Sequence, residues 1–173
     1  MTRAPFDVAA IDPAAFAECL RRRHHTLKRA LTDPQLLSGI GNAYSDEILH
    51  AAALSPIALT QKLTNIGVER PWRACNEVLS TWTARLRLAN GDNFPQKVPA
   101  FRTGMAVHGH LGLPCPVRAT AVQRARYTDN EVNYCPRCQT GGRLLAERAL
   151  SRLLKRDWPR SIDELEQIQS SRG

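Results

Sequence analysis

The chain has 173 residues, enough for one domain with its own core and a small additional module. Its formal net charge of +8 favours a polyanionic partner. The sequence shows no run of 18 apolar residues, no lipidation signal and no secretory leader, so we expect a cytoplasmic protein without a membrane partner. Five cysteines, two of them in a Cys-x-x-Cys pair, suit metal ligation better than a disulfide framework.

A helical domain is predicted over residues 13–93, after an N-terminal tail of residues 1–12. Asp12-Pro13 is typical of a helix start, because aspartate caps the first turn and proline fits the first helical position. A long amphipathic helix is predicted to begin at Pro71. Its apolar positions follow helical spacing and indicate one face packed on a core.

A glycine-rich turn, Gly39-Ile40-Gly41-Asn42, leads directly into a helix predicted from about Ala43 to Ala53. Glycine allows a tight turn and close approach of the backbone to a ligand. The start of the next helix presents unpaired N–H groups and partial positive charge, which favour a phosphate. The turn therefore predicts a phosphate-binding site. The alternative is a plain connection between two helices, with Asn42 as the cap.

The second half of the chain has a different pattern. Residues 94–113 are rich in glycine and proline and predict a linker. Residues 114–140 predict a β-hairpin entering the cysteine pair. A basic helix is expected over residues 141–160, and an acidic, polar, frayed tail over residues 161–173.

The cysteines of this half have the spacing of a zinc site. Cys115 precedes Cys135 and Cys138, and two Cys-x-x-Cys pairs separated by 15–20 residues are typical of zinc ribbons and fingers. The three thiols predict zinc ligands. The fourth position is Arg118, which has no lone pair for a metal. Either His108 or His110 supplies the fourth ligand, or the hairpin is held without metal by packing.

Both motifs resemble those of the Fpg/Nei DNA glycosylases. The stretch from Gly39 to Leu49 is similar to that family's helix–two-turn–helix, and Tyr134-Cys135-Pro136-Arg137-Cys138-Gln139 is similar to the end of its zinc finger. The resemblance covers residues 16–158 and corresponds to the C-terminal half of a complete member. It implies a mainly α fold, with a helix–two-turn–helix DNA-binding domain followed by a small zinc-finger-like β-hairpin.

The resemblance also implies which residues bind DNA. The turn glycines and the asparagine would hold phosphates flanking a lesion, a basic residue near the turn would add a contact, and the hairpin tip would reach the backbone from the opposite side. An arginine stands at that tip in the family, and here the matching position holds asparagine. The DNA-binding residues expected from these matches are Lys28, Gly39, Gly41, Asn42, Arg126, Asn130 and Arg137.

The function implied is binding of abasic or base-damaged duplex DNA in base excision repair, in the nucleoid. Family members use an N-terminal proline and glutamate for catalysis, whereas this chain begins Met1-Thr2-Arg3-Ala4-Pro5-Phe6. We expect the DNA-binding half without that chemistry: a fragment, a partner of a separate catalytic domain, or a degenerate binder. Residual lyase activity from the Lys28 amine is a further hypothesis. A basic module that binds another nucleic acid or a protein, without lesion specificity, is the alternative.

Overall fold

The computed structural model describes residues 6–91, 103–127, 130–146 and 158–171. Within these ranges the fold is mainly helical, with two small two-stranded sheets. No helix in them is long and apolar enough to cross a membrane. The elements are β1 (Phe6–Asp7), α1 (Pro13–Arg21), α2 (Leu27–Thr32), β2 (Leu37–Ser38), α3 (Asn42–Ala51), α4 (Asn65–Asn90), β3 (Gln123–Tyr127), β4 (Asn130–Tyr134), α5 (Pro136–Gln139) and α6 (Ile162–Ser170), with short 3-10 helices at Val8–Ala10 and Thr60–Lys62.

The first four helices enclose the main hydrophobic core. Helix α1 begins as predicted: the Asp12 side chain accepts a hydrogen bond from the Ala15 N–H at 2.7 Å, and Pro13 occupies the first turn. Helix α4 packs on both α1 and α3. The fully buried side chains between the helices include Phe16, Leu20, Leu27, Leu31, Ile48 and Leu49.

Helix α4 begins six residues earlier than predicted. Thr64 caps it, with its hydroxyl accepting a hydrogen bond from the Gly67 N–H at 3.0 Å. Pro71 therefore lies inside the helix and not at its start, although proline removes one helical hydrogen bond. A tertiary contact next to the proline offsets part of this loss. The Trp72 indole N–H donates to the Ile11 carbonyl at 2.9 Å and fixes the helix against the N-terminal segment.

The predicted N-terminal tail is wrong from Phe6 onward. Phe6–Asp7 pairs in parallel with Leu37–Ser38, just before the glycine turn. Val8 follows in a 3-10 helix and is 1% exposed in the core. These residues belong to the helical unit because apolar side chains flank the short strand; residues 1–5 of the predicted tail lie outside the described residues.

The hairpin is confirmed as β3 and β4, antiparallel with Ala125 opposite Val132 and Tyr127 opposite Asn130. The inward-facing residues of the hairpin form a small core with Leu145. Tyr134 anchors this core, since its hydroxyl accepts a hydrogen bond from the Leu145 N–H at 2.7 Å.

Two further expectations need correction. Residues 105–108 of the predicted linker are packed, with Met105 and Val107 buried, while residues 94–102 lie outside the described residues. The predicted frayed tail instead forms helix α6, which Ser161 caps and whose Ile162 is fully buried. Ile162, Leu165 and Ile168 follow helical spacing, and the burial of this apolar stripe stabilises the helix.

The basic helix expected over residues 141–160 is also wrong where the structure describes it. Residues 141–146 form a turn and extended chain, in which the Leu144 N–H donates to the Arg160 carbonyl at 2.9 Å. The Gly142 carbonyl accepts in turn from the Ile162 N–H at 2.8 Å. These paired backbones replace helical hydrogen bonds; residues 147–157 lie outside the described residues.

Burial of Cys75 in the core leads to a testable pH dependence. Burial raises the pKa of its thiol to about 12, from 9.0 for an exposed thiol. The unfolded chain therefore loses this proton at lower pH than the folded protein, and the stability contribution is lost as pH rises from 9 towards 12. Between about pH 8 and pH 10 we expect the wild type to lose on the order of 1 kcal/mol more than Cys75→Ala in urea unfolding. Equal losses would contradict this assignment.

Candidate nucleic-acid interface and cysteine cluster

The glycine turn is built as a tight entry into α3. Gly39 has φ +85°, a left-handed conformation that glycine adopts without strain. Gly41 is the residue before the helix and is extended, so its backbone does not demand glycine. No described atom beyond its chain neighbours lies within 4 Å of the position that a Cβ would occupy at Gly41. The open side of this glycine faces outward, and a ligand can approach the backbone there.

The first turn of α3 is open in a way that the first turn of α4 is not. Helix α3 has no capping side chain and no acidic residue in its first turn. Asn42, its first residue, is exposed, and among the described residues its side-chain amide has no hydrogen-bond partner. Unpaired N–H groups and an unengaged amide at a helix start form a site suited to an anion.

A surface depression of about 510 Å³ brings the predicted turn and the hairpin together. Gly41, Asn42 and Asn130, the first residue of β4, all line it. Arg29 also borders the depression; it is exposed and makes no ion pair with any described residue. Three of the residues predicted to bind DNA therefore share one depression, and Arg29 adds a cation that sequence reasoning missed.

The two arginines that were predicted to bind DNA, Arg126 and Arg137, each form an ion pair with an acidic side chain. Arg126 lies 3.4 Å from the Glu131 carboxylate across the hairpin. Arg137 contacts Asp163 of α6 at 2.5 Å, and the hydrogen bond and charge of that carboxylate raise the pKa of Arg137. Both ion pairs are largely exposed, so they contribute little to stability. Arg137 lies at the α5–α6 contact and does not border the depression.

Lys28 is buried, which corrects the expectation of a phosphate contact there. Its side chain is 3% exposed, and its ammonium contacts the Asp46 carboxylate at 2.5 Å and the Asn42 carbonyl at 2.9 Å. Burial lowers the pKa of Lys28, although the charge of Asp46 opposes that shift. The amine is thus held inside the protein behind the turn, and this geometry does not support the hypothesis of a Lys28 lyase.

Asp46 and Glu47 of α3 connect three parts of the chain. The Asp46 carboxylate, fully buried, accepts from Lys28 on α2, contacts the His108 ring at 2.8 Å and accepts from the Asn133 amide on β4 at 3.1 Å. Glu47 accepts from three successive backbone N–H groups of residues 106–108, at 2.6, 3.0 and 2.9 Å. Helix α3 therefore fixes the segment after α4, and the hairpin, relative to the glycine turn.

The cysteines form a cluster with a histidine from α3. The Cys115 and Cys138 sulfur atoms are 3.8 Å apart, and Nε2 of His50 lies 3.2 Å from the Cys115 sulfur. The ligand atoms of these three residues all lie within 4.8 Å of one another. Cys135 is buried in the same small core as Cys115, but its sulfur is not among the atoms grouped within that distance. These described residues form a Cys/His cluster that could hold a metal ion.

The surroundings of the cluster favour the deprotonated, metal-binding form at two residues, Cys115 and His50. Burial alone would raise the pKa of Cys115, but N–H groups of Val117 and Arg118 and the neighbouring thiols donate to its sulfur and lower it overall. Burial lowers the pKa of His50 and favours the neutral imidazole that binds metals. Burial and the neighbouring sulfurs raise the pKa of Cys138 to about 12, so its thiol holds its proton more strongly than an exposed one.

The two histidines proposed from sequence do not join the cluster. The His108 ring is directed to Asp46, and the group formed by Cys115, Cys138 and a histidine contains His50 and not His110. Arg118 is exposed, as a residue excluded from a metal site should be. The sequence does not point directly to His50, because it lies 65 residues before Cys115. The one indication is a histidine in the last turn of the helix after the glycine turn, in a chain that lacks the fourth cysteine.

The model of the formamidopyrimidine-DNA glycosylase H2TH domain matches residues 3–85. A Mycobacterium tuberculosis relative, described as an uncharacterized formamidopyrimidine-DNA glycosylase-like protein, is 43% identical over 129 residues, which make up 75% of this chain and 80% of the relative. The chain belongs to the formamidopyrimidine-DNA glycosylase family. This confirms the family predicted from the glycine turn and the cysteine motif.

Solved structures of this glycosylase family share the fold. The crystal structure of MutM (Fpg) from Thermus thermophilus is 31% identical, with a TM-score of 0.66, covering 79% of this chain and 54% of that protein. A complex between Lactococcus lactis Fpg and DNA containing an abasic site has a TM-score of 0.64 at 22% identity, covering 79% and 52% respectively. The chain therefore spans about half the length of these glycosylases.

Proposed function

We propose that the chain binds damaged duplex DNA in base excision repair, as the DNA-binding half of a formamidopyrimidine-DNA glycosylase. The observation that carries the proposal is the open first turn of α3, where Gly41 and Asn42 line one depression together with Asn130. A backbone phosphate fits such a helix start because it accepts several N–H donors at once. Family membership and the net charge of +8 support the same partner.

The helix–two-turn–helix in this proposal consists of α2, the Gly39–Gly41 turn and α3. Its role is positional, because phosphate contacts orient a protein on the duplex without reading sequence. Arg29 adds charge at the rim of the depression, and Asn130 approaches from the hairpin. The Lactococcus lactis relative, solved with abasic-site DNA, supports an abasic or base-damaged duplex as the ligand class. The proposal concerns binding, and base excision would require groups on a catalytic domain.

Zinc is the metal that we propose for the cysteine cluster. Thiolate sulfur with imidazole nitrogen is a donor set that zinc accepts in structural sites. Cys115 and Cys138 fit this role because their sulfurs are 3.8 Å apart, and Cys135 is buried in the same small core with Val107 and Val122. Bound there, the ion would neutralise the thiolates and hold α5 to the segment before β3.

The proposal is tested by fluorescence anisotropy with three labelled ligands: a duplex containing a tetrahydrofuran abasic analogue, the same duplex intact, and single-stranded RNA. We expect the lesion duplex to bind most tightly, with log affinity falling linearly with log salt by roughly 0.9 per phosphate neutralised. Equal or tighter binding of RNA would favour the interaction-module alternative. Binding that does not change with salt would contradict a phosphate-based interface.

Asn42 provides a site-directed prediction with a matched control in the same chain. Asn42→Ala removes an amide at the phosphate-binding turn, and hydrogen bonds to charged groups are typically worth about 1.5–3 kcal/mol. We therefore expect at least about tenfold weaker binding of both duplexes. Asn65→Ala is the control, because Asn65 is also exposed and is also the first residue of its helix, but there Thr64 caps the turn. Equal effects of the two substitutions would argue against the turn as the interface.

A further inference from the structure

We infer that His50 of α3 is the fourth metal ligand, completing a Cys₃His site with Cys115, Cys135 and Cys138. The inference rests on the proposed zinc. It assigns the ligand that the finger sequence lacks at Arg118 to a helix outside the finger. Metal binding in this chain would then join the helical domain to the hairpin module.

The distances among His50, Cys115 and Cys138 are close to those around a tetrahedral ion, with the nitrogen–sulfur distance slightly short. Zinc lies about 2.3 Å from sulfur and about 2.0–2.1 Å from nitrogen, so ligands in a tetrahedral shell are about 3.3–3.8 Å apart. The structure gives 3.8 Å between the Cys115 and Cys138 sulfurs, and 3.2 Å between the Cys115 sulfur and Nε2 of His50. The imidazole is thus placed at ligand distance with its nitrogen directed at the sulfurs.

Among the described residues, no strong hydrogen-bond partner compensates for the burial of the His50 ring. Its side chain is mostly buried, and its ring nitrogen makes its hydrogen-bond contact with the Cys115 sulfur. Burying an imidazole is unfavourable unless its polar atoms are satisfied. A thiol is a weak partner for such a nitrogen, whereas a metal ion shared with the sulfur is a strong one.

The backbone around the position of the missing cysteine is preserved. N–H groups of Val117 and Arg118 point at the Cys115 sulfur, as they would in a complete Cys-x-x-Cys turn. The Arg118 side chain is exposed to solvent.

A second link holds the hairpin module to the helical domain. Gln139 accepts a hydrogen bond from the Cys135 N–H and donates one to the Leu54 carbonyl just after α3.

This arrangement connects the metal to the glycine turn through a single helix. Asn42 opens α3 and His50 lies near its end, about 12 Å further along the same axis. In a finger with four ligands of its own, metal binding stabilises the finger alone. Here the ion would also fix the position of the hairpin, and hence of Asn130, relative to Asn42.

The test is zinc content and zinc-edge X-ray absorption of the purified full chain, compared among the wild type, His50→Ala, His50→Cys and His110→Ala. We expect one zinc per wild-type chain with three sulfur ligands and one nitrogen. His50→Ala should lower zinc affinity by more than the roughly 10–100-fold typical of losing an outer-shell partner. His50→Cys should keep the ion with four sulfurs, and His110→Ala should match the wild type.

The outcomes separate the two proposals. Zinc bound by the wild type and equally by His50→Ala, with an unchanged ligand shell, overturns the role of His50 but leaves zinc in place. A wild-type chain that binds no zinc overturns both. If His50→Ala fails to fold, the sulfur count of His50→Cys decides, because a fourth sulfur appears only if position 50 contacts the metal. Arg118→Cys in the His50→Ala background should restore binding through the finger's own fourth position.

Discussion

Replacing Asp46 by alanine is expected to destabilise the protein by about 3–5 kcal/mol, because removing one member of a buried ion pair leaves the other charge in a poorly solvating environment. The carboxylate is fully buried and is the charge partner of Lys28, which is itself 3% exposed. His108 and Asn133 would lose the same partner. Urea unfolding followed by circular dichroism measures the loss.

A double-mutant comparison distinguishes a buried charge pair from simple loss of packing. Lys28→Met removes the charge while preserving most of the side-chain volume. The Lys28→Met/Asp46→Leu protein should therefore be more stable than the sum of the Lys28→Met and Asp46→Leu losses implies. Additive losses would show that the two groups do not interact. Glu77→Ala is a surface control, since Glu77 is exposed and its carboxylate makes no hydrogen bond among the described residues.

Glu47→Ala is expected to release residues 103–113 from α3. The carboxylate accepts three backbone N–H groups, and charge-assisted hydrogen bonds typically contribute about 1.5–3 kcal/mol each. Because the freed N–H groups can regain water when the segment moves away, we expect a net loss on the order of 3 kcal/mol. Amide hydrogen exchange should accelerate at Ala106, Val107 and His108.

The position of that acceleration separates local release from general destabilisation. In Glu47→Ala, amides in the middle of α4 should exchange no faster than the lower global stability of the variant requires. Glu47→Gln should fall between wild type and alanine, since an amide oxygen still accepts but carries no charge. If the exchange of residues 106–108 is unchanged, the carboxylate does not hold this segment.

The parts of the site that local chemistry determines could be predicted from the sequence. The glycine turn, the start of α3 and the presence of the hairpin follow from residue types within a few positions of one another. Three predicted residues, Gly41, Asn42 and Asn130, line one depression. The cysteine spacing likewise predicted which thiols lie together.

The parts that sequence reasoning missed depend on contacts between distant segments. Asp46, Glu47 and His50 stand in the sequence as a polar stretch of an ordinary helix. Their roles become visible only when the segment after α4 and the hairpin are packed against α3. Lys28 is expected on the surface because lysine is rarely buried, and its partner Asp46 lies 18 residues away.

The predicted helix boundaries were wrong for a related reason. Pro71 favours a helix start because proline suits first turns, whereas Thr64 supplies a stronger cap and tertiary contacts hold the helix through the proline. The polar composition of residues 161–171 favours a frayed tail. A capping serine and an apolar stripe of Ile162, Leu165 and Ile168 nevertheless favour a helix there.

We propose that DNA is held at the open first turn of α3. The most direct test is titration of the ¹⁵N-labelled chain with a short duplex containing a tetrahydrofuran abasic analogue, followed by amide chemical shifts. The largest changes are predicted at Gly41–Tyr44, with further changes at Arg29 and Asn130, and Asn42→Ala should reduce them together. Shifts confined to α6 and the Arg137 side of the hairpin module, with the glycine turn unchanged, would contradict the account.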